Sequence, residues 1–483
     1  MGKVIKFIAK ISLIVSSFFM VGCANDSSNN NETIDTKKEI NIYALNDFHG
    51  AFLSSSSYTG LSKIGEYLIN EKTNNPDGTI ILSSGDMFQG TVESNLNKGA
   101  LMTDAMNLIG FDSMTVGNHE FDWGEEILKT NAQNMNFPLL ACNIFYKGTK
   151  KRPDYLKPYT ILSKGEYKIG IIGAVQENIG SSILRSISNN FDYLYPVDYV
   201  KEYSDILFND EKCDAVILST HDGGEVTYSG LSSISSKSKK EYVNGIFLGH
   251  DHNVKNGDYD GVPYVEGGSS GSYISKITLK MSNKNNVKTC YEASGFLIKT
   301  STQCQTESTA INALYDSKYK ESIESIKNEV IGYAPKALSK NEIGSLVSEA
   351  MVKYVNLYQD EFNHSVNFGC VNGSGGIRKT LPKGNITYGD LVNSIPFDNF
   401  ITVAKLNEDQ FFTYRTYYKD TSYCTTGTID EVKPYSDGFY YAATINYVSE
   451  QRDNTSVFAS NVIYRDATVS MIKEGLIEAI NKI

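Results

Sequence analysis

The feature that most limits what this chain can become is a recurring unit, a short apolar run that stops in a polar turn carrying histidine or aspartate. The densest example is Gly117-Asn118-His119-Glu120-Phe121-Asp122. It follows Ser113-Met114-Thr115-Val116, which reads as a short buried strand ending in a tight turn. An amide, an imidazole and a carboxylate therefore meet just past a strand's carboxyl end, where open α/β sheets bind ligands. Asn118 can offer a carbonyl oxygen to a metal. His119 can donate a proton or steady a developing charge, and Asp122 is near enough to hold the other ring nitrogen. The same residues also suit a turn whose Asn and Asp cap a helix starting near Glu125; the rest of the chain decides between the two.

The unit repeats. Glu39 to Asp47 alternates apolar and polar residues and breaks at Asp47-Phe48-His49-Gly50, and Thr79 to Asp86 runs into Gly85-Asp86. Pro138 to Ile144 and Lys168 to Val175 read as further buried strands. Ala215 to Asp222 ends in His221-Asp222, and Gly245 to His252 ends in Gly249-His250-Asp251-His252. Helical spacing over Ser62 to Asn75, Gly99 to Gly110 and Val197 to Cys213 separates them. Strands near 264–282 close the region. Strands alternating with helices, with polar turns on one edge, predict a layered α/β domain.

Histidine is scarce, with six in the chain, and five of them fall in the turns just named; only His364 is left over. Scattered placement does not produce this. Neutral imidazoles with Asp47, Asp86 and Asn118 form a mixed nitrogen and oxygen donor set, which suits zinc, manganese, cobalt or iron better than calcium. Asp47, His49, Asp86, Asn118, His221, His250 and His252 are too many for one tetrahedral site. They match two divalent ions sharing a bridging carboxylate, an arrangement that activates water for attack on phosphorus. The residues point to a hydrolase.

A chain of 483 residues, 41% of them hydrophobic, is too long for one core and predicts two or three domains. Its formal charge of −11 argues against a nucleic-acid polymer as partner, which would require a basic surface, but leaves room for a small phosphate ester. Lys3, Lys6 and Lys10 followed by apolar Ile11 to Gly22 read as an export signal too short to span a bilayer. The signal ends Met20-Val21-Gly22-Cys23, similar to a bacterial lipobox with Cys23 as the lipidated residue; an ordinary signal peptide is the alternative. Asn25 to Lys38 reads as a flexible tether. The other cysteines show no CxxC spacing, which argues against a zinc–thiolate site, and Cys290 with Cys304 is the pair most suited to a bridge.

These motifs, in this order, resemble the calcineurin-like metallophosphoesterases, and within them the 5′-nucleotidase and UDP-sugar hydrolase family. Phe137-Pro138-Leu139-Leu140-Ala141-Cys142-Asn143 and Gly261-Val262-Pro263 add to the likeness. The resemblance implies a four-layer α/β/β/α metallophosphoesterase domain over 39–300 and a connecting helix within 301–337. A smaller α/β substrate-binding domain over 338–483 completes it, with residues 1–23 as signal and 24–38 as tether. It implies Asp47, His49 and His252 on one metal and Asn118, His221 and His250 on the other, bridged by Asp86. His119, oriented by Asp122, would stabilise the transition state or the leaving group. In the C-terminal half Gly375-Gly376-Ile377-Arg378 and Ile395-Pro396-Phe397-Asp398-Asn399 match the family's substrate-binding motifs. They imply roles for Arg378 as a phosphate fork, for Phe397 as a face for a base, and for Asn372 and Asn399.

Two departures accompany the match. The family's asparagine lies one residue closer to the arginine than Asn372 does. No Gly-Gly-Asp loop matches the one that supplies the family's second base-stacking aromatic, so base recognition is weakened, rebuilt from tyrosines or lost. The expected activity is phosphate release from 5′-nucleotides by a lipid-anchored enzyme at the bacterial cell surface, with no obligatory protein partner. The same chemistry on 2′,3′-cyclic nucleotides, UDP-sugars or envelope phosphates is the runner-up. A binding protein on a retired scaffold is the third reading, against which all seven ligands are present.

Overall fold

A computed structural model describes residues 35–223, 242–259, 261–357, 359–360, 364–372, 375–397, 399–419, 423–425, 429–449 and 462–465. The export signal with Cys23, most of the tether and Asp398 lie outside them, and so do Ala467 to Ile480, whose sequence predicts a last helix.

Two sheets lie face to face. The first has seven strands and is built around Asp35–Leu45, with Thr79–Ser83 parallel on one side and Tyr273–Lys284 antiparallel on the other. The second has six strands and centres on Tyr167–Val175, Ala215–His221 and Gly245–Phe247, all parallel. Thr79–Ser83 and Ala215–His221 are buried at every position, as strands covered on both faces must be, which is why their sequences run apolar without alternation. Ile40, Ile42, Ile80 and Leu82 of one sheet meet Ile169, Ile171, Ile217 and Phe247 of the other. Each such side chain contributes about 1.5–3 kcal/mol by leaving water. Helices cover the outer faces: Leu61–Asn74 and Ala100–Ile109 on the first sheet, Pro196–Asn209 on the second. The result is four layers, α/β/β/α.

Three sequence expectations change. The strand expected over Pro138 to Ile144 is two pieces, Leu139–Leu140 and Ile144–Tyr146. Asn143 breaks it: its amide donates to the carbonyls of Val175 and Leu194 and accepts the N–H of Val175. The single connecting helix is two main helices, Thr309–Lys318 and Lys320–Lys327, parted at Tyr319. Tyr319 is buried with its hydroxyl on Asp104, and Ile311, Tyr315 and Ile323 pack with it into the first core. Gly65 makes room for this packing, since a Cβ there would lie 2.3 Å from Ile311 Cδ1. The Cys290–Cys304 bridge does not form. Cys304 is a free thiol in the first core, its pKa pushed up to about 12 by burial, whereas Cys290 pairs across from Met281 on the outer hairpin.

The C-terminal half has its own core around a five-stranded sheet that includes Phe368–Asn372, Ile401–Leu406 and Tyr440–Ile445, backed by Lys340–Leu357. The helix Tyr388–Ser394 starts with a capping box between Thr387 and Asp390. Among the bonds that join this half to the rim of the first, Asn393 Oδ1 accepts the N–H of Val92 at 3.2 Å, and Asn95 Nδ2 donates to the Pro396 carbonyl at 2.8 Å. That docking brings the two halves together over the carboxyl ends of the central strands. Among the described residues, no helix is long and apolar enough to cross a membrane.

Candidate active site

Each polar turn sits at the carboxyl end of a central strand, so the two sheets aim their donors at one point. Asp47 and His49 follow Asp35–Leu45, Asp86 follows Thr79–Ser83, and Asn118 follows Ser113–Thr115. His221 ends its own strand, and His250 and His252 follow Gly245–Phe247. Asp47, His49, Asp86, Asn118 and His221 are buried. Asp47, His49, Asp86, His250 and His252 have φ between 47° and 85°, half of the ten described non-glycine residues with positive φ. Each costs roughly 1–2 kcal/mol as a left-handed L-residue. Strain gathered at one spot on charged and imidazole side chains marks a functional centre.

The donor atoms form tight groups. Asp47, His49 and His252 offer atoms within 4.8 Å of one another, and so do Asp86, His221 and His250. His49 Nε2 faces His252 Nε2 at 2.9 Å, and Asn118 Oδ1 lies 2.9 Å from His250 Nδ1 and 3.1 Å from His221 Nε2. Asp86 joins the groups: its Oδ2 is 3.2 Å from His221 Nε2, and it also shares a group with His49 and His119.

Tautomers show whether cations fit. His49 Nδ1–H donates to the Gln89 carbonyl at 3.0 Å and His221 Nδ1–H to the Ser84 carbonyl at 2.8 Å, so both rings turn Nε2 inward. Burial, helped by Arg378, holds His49 and His252 low, His252 at about 4; burial, helped by His221, takes His250 to about 4. These are neutral imidazoles, the form that ligates metals. His221 goes the other way: burial opposes its charge, yet Asp86 and Asp47 raise it to about 10. Its Nε2 must carry either a second proton or a cation. Burial first, and then Asp86, pushes Asp47 up to about 7, although His221 pulls it down. Carboxylates and ring lone pairs crowded this closely fit divalent cations.

Glu120 holds the loops in place. Its carboxylate accepts the backbone N–H groups of Asp86, Met87, Phe88 and Gly117 at 2.7–3.3 Å, joining the Asp86 loop to the Asn118–His119 loop. Burial raises its pKa to about 7, with Asp86 adding to the effect. Glu120→Ala leaves buried donors unpaired, so thermal and denaturant unfolding should show a loss of about 3 kcal/mol or more. Metal affinity should fall about 10- to 100-fold, as for other groups that orient ligands. Unchanged affinity in a metal titration would show that Glu120 does not position the loops.

His119 sits beside the donors with its Nδ1 2.7 Å from Asp122 Oδ2, and its backbone N–H reaches Asp86 Oδ1 at 2.8 Å. From the C-terminal half Arg378 Nη2 approaches His119 Nε2 at 3.5 Å, and the Phe397 ring stacks on the imidazole with centroids 5.6 Å apart. Arg378 also lies over Phe397, 5.3 Å from its centroid. These groups enclose a cavity of about 230 Å³, which Asn372 and Asn399 also line. Every residue given a catalytic, metal or substrate role from the sequence therefore lies at this cavity or in its donor groups; Cys23 is outside the described residues. The cavity adds Gln89, Trp123 and Tyr447, which the sequence reading missed. Trp123 follows the Gly117–Asp122 motif directly and is the chain's one tryptophan, a usable signal.

The sequence model of the calcineurin-like phosphoesterases matches residues 40–254, and that of the 5′-nucleotidase C-terminal domain matches 323–410. Apyrase from Tabanus yao is 26% identical over 449 residues, covering 84% of this chain and 77% of the relative. The 5′-nucleotidase of Vibrio cholerae serotype O1 is 25% identical over 462 residues, covering 86% and 81%. The 5′-nucleotidase precursor from Thermus thermophilus superposes with a TM-score of 0.71 over 92% of this chain and 96% of that one; at 17% identity this is a likeness of fold. The chain therefore carries a calcineurin-like phosphoesterase domain over residues 40–254 and a 5′-nucleotidase C-terminal domain over 323–410, and is a phosphoester hydrolase.

Proposed function

We propose that this is an exported 5′-nucleotidase that releases phosphate from nucleoside 5′-monophosphates by in-line attack of water. The observation that carries the reading is the clustering of the seven donors beside one cavity whose wall holds the His119–Asp122 pair and Arg378. Asp47, His49 and His252 would hold one divalent ion and Asn118, His221 and His250 the other, with Asp86 between them; the grouping of the donor atoms supports this division. The two ions, of zinc, manganese, cobalt or iron, would supply acidity to a water near neutral pH and charge to offset the phosphoryl oxygens.

The remaining steps belong to the chain's own residues. Arg378 presents a planar fork to the phosphoryl oxygens. His119, held through Nδ1 by Asp122, points Nε2 into the cavity and gives a proton to the leaving oxygen. Phe397, Tyr447 and Trp123 offer apolar faces to the base and sugar, and Asn372 and Asn399 offer amides. We take 39–300 as the catalytic part, 301–337 as the connector and 338–483 as the substrate-binding part. The strand Val330–Ala334 already pairs with Gly384–Thr387 of the last. Cys23 is taken as the lipidated residue that tethers the enzyme to the outer face of a bacterial membrane, which mass spectrometry of the N-terminal peptide checks.

A second reading keeps the chemistry and changes the ester to a 2′,3′-cyclic nucleotide, a UDP-sugar or an envelope phosphate. It is favoured by Phe397 lying against His119 instead of standing open to a base. Phosphate release from AMP and an aryl phosphate, and from 2′,3′-cyclic AMP and UDP-glucose with an added phosphatase that reveals diester cleavage, separates the readings, using the full chain stripped of metal and resupplied with manganese, zinc or cobalt. Turnover concentrated on AMP is the expected result. Turnover of the aryl phosphate alone would discard the nucleotide.

A further inference from the structure

Gln89 takes no part in the chemistry described so far. It lies in the loop after Thr79–Ser83, three residues past Asp86, and is buried at 1% exposure while lining the cavity that Asp86 and His252 also line. Among the described residues, neither Nε2 nor Oε1 has a hydrogen-bond partner. A carboxamide buried with both ends idle destabilises the fold until something supplies the missing acceptor and donor.

The main chain fixes where that partner sits. The Gln89 carbonyl accepts His49 Nδ1–H at 3.0 Å, and Gly90 lies so close to His49 that a Cβ there would come 2.5 Å from the His49 carbonyl oxygen. Gln89 is therefore held against the Asp47, His49 and His252 group. The part of a phosphoester that reaches this group is its phosphoryl end, not its leaving group.

We propose that the Gln89 amide binds the phosphoryl group of substrate and product directly. Nε2 donates to a non-bridging oxygen, and Oε1 accepts from the attacking water or from a protonated phosphate oxygen. Arg378 supplies charge to this tetrahedral oxyanion; Gln89 supplies a neutral donor and acceptor at a fixed place, selecting a phosphoryl centre that bears both anionic oxygens and O–H. The inference rests on the phosphohydrolase reading above.

The test compares the full chain with Gln89→Met, both loaded with manganese. Calorimetry gives the affinity for inorganic phosphate, AMP hydrolysis gives kcat and KM, and thermal unfolding is recorded without phosphate. Losing a hydrogen bond to a charged group should weaken phosphate binding and lower kcat/KM by about 10- to 100-fold. Manganese content should stay the same, and the unfolding temperature should hold or rise, because an idle buried amide has been replaced by an apolar side chain of similar size. Gln89→Glu, which keeps the size and adds an anion, should weaken phosphate binding further and covers the case in which Gln89→Met does not fold. Wild-type phosphate affinity in either variant would overturn the proposal. Absence of AMP turnover by the wild type would count against the nucleotidase reading alone, because phosphate affinity decides Gln89 separately.

Discussion

Asp86→Ala should take the purified chain from two bound ions to one or none and cut phosphate release by about 10³-fold or more. Asp86 is the donor shared between the groups: Oδ2 lies 3.2 Å from His221 Nε2, and the residue also clusters with His49 and His119. Its backbone is spent on the same task, with φ at 56° and its N–H taken by Glu120. A pair of ions contributes several kcal/mol to the transition state by offsetting charge, and about 4 kcal/mol corresponds to 10³ in rate. Elemental analysis beside a phosphate-release assay reads both effects. Two retained ions would remove Asp86 from the bridging position.

His119→Asn should lower kcat by about 10²- to 10⁴-fold while both ions stay bound, the range expected for losing a positioned acid. Burial by itself would lower the His119 pKa; Asp122 and Asp86 outweigh it, and the net shift is upward. Burial raises the pKa of Asp122 as well, but the 2.7 Å contact favours the charged imidazole. The proton on Nε2 is present below the raised pKa and lost as pH rises through it, so kcat should fall on the alkaline side. In Asp122→Asn, which removes the carboxylate that accepts from Nδ1–H and raises this pKa, the limb should move to lower pH. It should be absent in His119→Asn. A pH profile unchanged in both variants would take His119 out of proton transfer.

The donor set was legible in the sequence because chemistry restricts its residue types. Five of six histidines at strand ends can be seen without coordinates, and so can the strands, whose unbroken apolar runs follow from being covered on two faces. The parts that stayed hidden depend on neighbours distant in sequence. Glu120 reads as one more letter of a motif until the N–H groups of residues 86–88 are placed against it. The cavity wall gathers Gln89, Trp123 and Tyr447 from three separate segments, and no local pattern links them. The break at Tyr319 was invisible for a related reason. Helical spacing continues through it, and burial against the first core together with the Asp104 bond decides the geometry. Cys290 and Cys304 looked pairable by their separation in the chain, but one belongs to an outer hairpin and the other to a core.

The most direct test of the central claim is a titration of the metal-stripped chain with manganese, following phosphate release from AMP after each addition. Two ions held by Asp47, His49, Asp86, Asn118, His221, His250 and His252 predict little activity through the first equivalent and a rise to full rate with the second. Full activity at one equivalent, or activity that persists in excess chelator, would contradict a reaction run by a metal pair.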